Sequence, residues 1–137
     1  MSDNQLKILS IENDEFMKIF LKDIFWIHGA NKEDLNIFGN LKKAREFLKN
    51  PENKPDIILM GIGLPEEDGE KIDVKNGFRF LEDLKSNPET KDIKVIIFSN
   101  FGDKEIKEKA LKMGVCKFLV KGEYLPQDIL KIIRESC

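Results

Sequence analysis

Four short apolar runs in this chain each stop at a position suited to phosphate or metal chemistry, or at a gap in it. Glu12-Asn13 follows Ile8-Leu9-Ser10-Ile11, Gly61 follows Ile57-Ile58-Leu59-Met60, Ser99 follows Val95-Ile96-Ile97-Phe98, and Lys121 follows Phe118-Leu119-Val120. An acidic and amide pair can hold a hydrated magnesium ion, a hydroxyl can bond a phosphoryl oxygen, and a lysine ammonium can serve as its point-charge partner. Gly61 brings no functional group. Taken singly each has a plainer reading. Glu12, Asn13, Asp14 and Glu15 would be acids decorating a helix N-terminus, Ser99 a turn residue and Lys121 a solvated lysine. Only their arrival at one place gives them a shared chemistry.

The elements that would bring them there alternate along the chain. Leu6 to Ile11 reads as a strand opening onto the acidic cluster. A helix follows, capped by Asn13 or Asp14, with Phe16, Ile19, Phe20, Ile24 and Ile27 at helical spacing until His28-Gly29. His28 reads as a helix C-terminal residue that complements the dipole, without a catalytic or metal role. Leu35 to Phe38 predicts a second strand, and Leu41, Ala44, Phe47 and Leu48 an amphipathic helix stopped by Asn50-Pro51. The third strand, Ile57 to Met60, has no polar alternation, as expected of a strand covered on both faces. After it comes a polar stretch from Glu66 to Asn76, longer than such connections usually are. A helix from Gly77 to Lys85, a strand from Val95 to Phe98, a helix carrying Ile106, Ala110, Leu111 and Met113 with Gly114 as its cap, and a strand from Phe118 to Val120 complete the series. Pro126 opens a last helix bearing Ile129, Leu130, Ile132 and Ile133. Alternation of this kind argues a parallel sheet covered by helices on both faces, with ligands bound beyond the carboxyl ends of its strands.

Composition narrows the classes. The 137 residues are 41% hydrophobic and 35% charged, with a formal net charge of -2, which suits one globular domain. No Lys/Arg block offers a footprint for nucleic acid or anionic lipid, and no apolar run approaches the roughly 18 residues of a membrane span. The expected location is cytoplasmic, with no nucleic-acid or membrane partner. Cys116 and Cys137 fit neither a Cys-x-x-Cys motif nor a zinc spacing, so two ordinary thiols are expected.

These residues carry a family likeness. Ile8-Leu9-Ser10-Ile11-Glu12-Asn13-Asp14, Pro55-Asp56-Ile57-Ile58-Leu59-Met60-Gly61, Val95-Ile96-Ile97-Phe98-Ser99 and Phe118-Leu119-Val120-Lys121 fall into register with the motifs of receiver domains. Over almost its whole length the chain resembles the receiver domain of bacterial two-component response regulators. The resemblance implies a doubly wound (βα)5, flavodoxin-like sheet of strand order 2-1-3-4-5, spanning 1–137 as a single receiver domain with no output domain. It implies that Glu12 and Asn13 match the metal-binding pair, with Gly63 supplying a backbone carbonyl, and that Ser99 and Lys121 match the phosphoryl-pocket hydroxyl and lysine. Phe118 matches the switch aromatic. Gly61 falls where the family has its phosphoacceptor Asp.

Four departures follow from the same comparison. A receiver takes up a phosphoryl group on a carboxylate nucleophile, and Gly61 has none. Asn13 leaves Glu12 as the chief carboxylate for magnesium, with Asp14 nearby, so Mg2+ binding is expected to be weak. Both Asp68-Gly69 and Asn76-Gly77 could match the family's Asp-Gly before helix three. The second choice leaves an insertion of about eight residues, Gly69 to Asn76, in which Ile72 and Val74 could form a small hairpin arm over the site. Glu66, Glu67 and Asp68 could in principle replace the missing carboxylate. Gly122 stands where the family usually has proline.

The expected function is a non-enzymatic, receiver-type signalling protein of a two-component phosphorelay. Lacking the acceptor, it would act through phosphorylation-independent contacts on the face of helix four, strand five and helix five. Its partners would be a sensor histidine kinase or phosphotransfer protein and a downstream protein. The alternative is an ordinary phosphoryl-accepting regulator whose Asp at this position has become Gly61. More remote is a flavodoxin-like small-ligand module, since the acidic run after strand one would repel a flavin phosphate.

Overall fold

A computed structural model describes residues 6–29, 33–100 and 102–135 of the chain. The chain alternates strand and helix: β1 Leu6–Ile11, α1 Glu15–Gly29, β2 Glu33–Phe38, α2 Leu41–Leu48, β3 Ile57–Met60, α3 Val74–Ser86, β4 Lys94–Ser99, α4 Lys104–Lys112, β5 Lys117–Val120 and α5 Pro126–Glu135. A short 3-10 turn, Pro51–Asn53, links α2 to β3. The strands form one sheet of order β2-β1-β3-β4-β5, and every pair is parallel. This is the doubly wound α/β arrangement that the alternation predicts.

Side chains leave a strand alternately to its two faces, so the uninterrupted apolar runs feed two cores. Leu9, Ile11, Ile58, Met60, Val95, Ile97 and Phe118 pack with α2, α3 and α4 through Leu41, Ala44, Phe78, Leu81, Leu84 and Ala110. Ile8, Ile57, Leu59, Ile96, Phe98 and Leu119 pack with α1 and α5 through Leu21, Ile24, Phe25, Ile129, Leu130 and Ile133.

Several local expectations are corrected. The buried face of α1 is Leu21, Ile24 and Phe25, whereas Phe16, Ile19 and Ile27 point outward. The helix is apolar on nearly every side, so periodicity alone does not say which face meets the sheet. Asp14 caps it, its Oδ1 accepting from the Phe16 N–H at 3.0 Å. On α4, Leu111 is exposed and Ala110 makes the buried contact. Helix α3 begins three residues before Gly77, capped by Asp73, whose side chain accepts from the Lys75 N–H. Val74 is therefore helical and forms no hairpin arm with Ile72. The excursion is closed instead by an isolated antiparallel bridge between Leu64 and Asp73. Cys116 is disulfide-bonded, contrary to the expectation of ordinary thiols, and its partner lies outside the described residues, as do Cys137 and the polar N-terminus.

Gly77 serves close packing. A Cβ there would fall inside contact distance of the Ile62 carbonyl oxygen and carbon, which are backbone atoms of the loop after β3. Helix α3 can approach that loop because nothing projects from position 77. Gly77→Ala is expected to cost about 2 to 4 kcal/mol, read from the midpoint of urea unfolding, because backbone must shift to admit the methyl group. An unchanged midpoint would show that the approach is looser than described.

Candidate functional site

The carboxyl ends of β1, β3, β4 and β5 converge as the sequence predicts, and backbone pairing holds each end in place. The Glu12 N–H donates to the Phe38 carbonyl at 2.9 Å, the Gly61 N–H to Ile11 at 3.2 Å and the Lys121 N–H to Ser99 at 2.9 Å. The ladder thus runs one residue beyond the named strands. Its last rungs are the residues of the site.

The side chains are brought together in an order that sequence spacing does not reveal. Lys121 Nζ lies 2.9 Å from Glu12 Oε2, with the two side chains 10% and 6% exposed. The same Oε2 accepts the Asp14 N–H at 3.0 Å. The Lys121 ammonium also stands 5.9 Å from the centre of the Phe98 ring. Lysine and glutamate neutralise one another, and the carboxylate is further satisfied by backbone, as a charge this buried requires.

Gly61 is buried at the end of β3. A Cβ built there would meet Leu64 Cδ2 at 3.5 Å, Leu64 Cγ at 3.8 Å and the Phe98 carbonyl oxygen at 3.8 Å, which are ordinary contacts. Ser99 is 2% exposed at the end of β4. Phe118 is buried among the side chains of the α2, α3 and α4 core. Gly63 is half-buried in the loop, and Asn13 and Asp14 are exposed.

For a divalent cation this donor set is poor. Glu12 is committed to Lys121 and to backbone, Asn13 is neutral, and Asp14 spends its Oδ1 on capping α1. Among the described residues no group of three or more His, Cys, Asp or Glu side chains is placed to hold a metal ion.

Glu66, Glu67 and Asp68 are engaged with α2. Arg45 Nε lies 2.9 Å from Glu66 Oε2, Lys42 Nζ 3.3 Å from Glu67 Oε1, and Lys43 Nζ 3.7 Å from Asp68 Oδ2. Asn40 Nδ2 donates to Asp68 Oδ1 at 2.6 Å while its own Oδ1 accepts the Lys43 N–H at 2.8 Å. The loop backbone joins in, since Leu41 and Lys42 N–H donate to the Pro65 and Glu66 carbonyls at 3.1 and 2.8 Å. A helix N-terminus presents unsatisfied donors and a partial positive charge, so an acidic segment with free carbonyls is its natural partner. The Asn40 hydrogen bond, then the Lys43 charge, hold the Asp68 carboxyl below its usual range. That contribution is present above the ordinary carboxylate range and is lost as pH falls through the lowered value. Sequence reading missed this clasp; its signal was the match of an acidic triplet to Lys42, Lys43 and Arg45.

Residues 8–134 match the response regulator receiver domain. The chain belongs to the receiver domain family of response regulators. A relative, the chemotaxis protein CheY of Thermotoga maritima, is 32% identical over 130 residues, covering 94% of this chain and 95% of that protein. Among solved structures, a signal receiver domain from Clostridium thermocellum shares the fold with a TM-score of 0.75 and 24% identity, over 97% of this receiver and 96% of that chain. The Mn(2+)-bound form of response regulator Rcp1 shares it with a TM-score of 0.73 and 21% identity, over 94% and 89%. The flavodoxin-like ligand module is thereby set aside. In this receiver Gly122 has φ +91°, which proline with its fixed φ near about −65° cannot adopt, so the turn after Lys121 takes its own path.

Lys121→Met is expected to destabilise the receiver by about 3 to 5 kcal/mol, because it strands the Glu12 carboxylate in a buried position. Adding Glu12→Gln should recover most of that loss, since the amide oxygen can still accept the Asp14 N–H. Urea unfolding of both variants checks this. Additive losses would show that the two groups are not coupled.

Proposed function

We propose that this receiver signals or scaffolds through protein contacts without accepting a phosphoryl group. The supporting observation is the closed Glu12–Lys121 pair beside Gly61: the pocket's cation is neutralised internally, and the position that would bear the nucleophile is glycine. Such a protein would have no turnover of its own. Its partners would be a sensor histidine kinase or phosphotransfer protein upstream, or a protein read through α4, β5 and α5 downstream.

One observation favours a second reading. A Cβ at Gly61 would make only ordinary contacts, as expected if an aspartate once stood there. Incubation of the protein and its Gly61→Asp variant with a small-molecule phosphodonor and Mg2+, followed by intact mass measurement, separates the readings. The unmodified chain should gain no phosphoryl mass. A gain on it would sink the proposal. Labelling of Gly61→Asp alone would show a pocket that is whole apart from its acceptor, whereas labelling of neither would mark the pocket itself as vestigial.

Rcp1 in its Mn(2+)-bound form shows a divalent ion bound to a protein of this fold. Here the donor set argues for weak affinity, since a hard, strongly hydrated cation gains little from a carboxylate already shared with Lys121. Calorimetric titration should give no Mg2+ binding at physiological concentration. A saturable heat in that range would contradict this.

A further inference from the structure

The outward face of α1 is the most apolar exposed surface among the described residues. Phe16 is 84% exposed, Trp26 80%, Ile27 65% and Ile19 57%. At 100° per residue these four fall within an arc of about 100° on the side away from Leu21 and Phe25. By contrast α4 offers Leu111 alone, and the segment before α5 offers Leu125. Exposed apolar patches beyond a few hundred Å² mark association surfaces.

We propose that this face binds a second copy of the chain, α1 against α1 in antiparallel orientation across a two-fold axis. Two arguments select a second copy. The first is area. Four side chains of this size and exposure present on the order of 500 Å² per copy, so a symmetric pair removes about 1,000 Å², where specific interfaces begin. The second is charge. Asp23 stands inside the stripe, next to Lys22 on its flank, and both are exposed. An axis passing between residues 22 and 23 sets each Asp23 carboxylate against the Lys22 ammonium of the second copy, twice by symmetry, while Trp26 of each copy packs on Ile19 of the other. The one charge within the stripe is thus matched by the same helix in reverse. The interface is small and carries ion pairs at its centre, so association is weak and reversible, with Kd on the order of 10 to 100 µM.

Trp26 is the only tryptophan in the chain, so its emission reports this face directly. Between about 1 and 500 µM protein, sedimentation should show a monomer passing to a dimer, with a blue shift of Trp26 emission over the same range. Asp23→Lys and Lys22→Asp should each weaken self-association at least about tenfold, and an equimolar mixture of the two variants should restore it, because each then meets its complement. Trp26→Lys should abolish it. All three positions are exposed, so the fold does not depend on them. A monomer throughout this range overturns the proposal, as does a dimer indifferent to the two charge reversals. A chain that stays monomeric while its Trp26 emission shifts with lipid vesicles or another helical protein also overturns it.

Discussion

A buried ion pair between residues 109 positions apart closes the carboxyl edge of the sheet. Glu12 continues β1 and Lys121 continues β5, so their contact ties the first strand to the last above the end of β3. Taking both charges out of water is costly, and the contact offsets that cost only because the carboxylate also accepts a backbone N–H. Such a pair adds little net stability over an apolar substitute. Removing one member is another matter, since it leaves a charge with no partner. The pair therefore constrains the site more than it stabilises the fold, and it leaves Lys121 committed before any ligand arrives.

The surroundings reinforce that arrangement. At the end of β3, Gly61 brings no side chain to the edge where Glu12 holds the Lys121 ammonium. The acids just beyond Pro65 are drawn to α2, Asp68 to Asn40 at its N-terminus and Glu66 to Arg45 in its last turn, and Arg45 also reaches Asp83 on α3 and lies 5.1 Å from the centre of the Phe80 ring. Loop, α2 and α3 thus form one braced unit on one side of the sheet. On the other side α1 buries Leu21, Ile24 and Phe25 and leaves a second apolar face to solvent. The pocket is internally satisfied, while the unsatisfied surface is on a helix flank.

Much of this was legible in the residues. Uninterrupted apolar runs ending in polar or glycine positions could form only strands buried on both faces, and their alternation with amphipathic segments dictated a parallel sheet. The four site positions followed from the strand ends. Other features were hidden for physical reasons. Gly77 looked like the start of the third helix, but it lies inside α3 and its role is to let α3 approach the Ile62 carbonyl, a contact that does not show in local sequence. Phe16, Ile19 and Ile27 looked like core because α1 is apolar nearly all round, and only the packing of α1 on α5 and β2 decides which side is covered. Spacing brought Lys121 to the edge that carries Glu12, but the depth at which the pair is buried and the Asp14 N–H shared by the same carboxylate oxygen come only from the fold.

The central claim is that the pocket is closed on itself, with Lys121 held by Glu12 and no group at Gly61 to receive a phosphoryl moiety. It is tested most directly by amide and lysine-ammonium NMR shifts on addition of Mg2+ with fluoroberyllate, a mimic of the phosphoryl group on a carboxylate. The account predicts that signals from Glu12, Gly61, Ser99 and Lys121 stay where they are. Saturable shifts centred on these residues would contradict it.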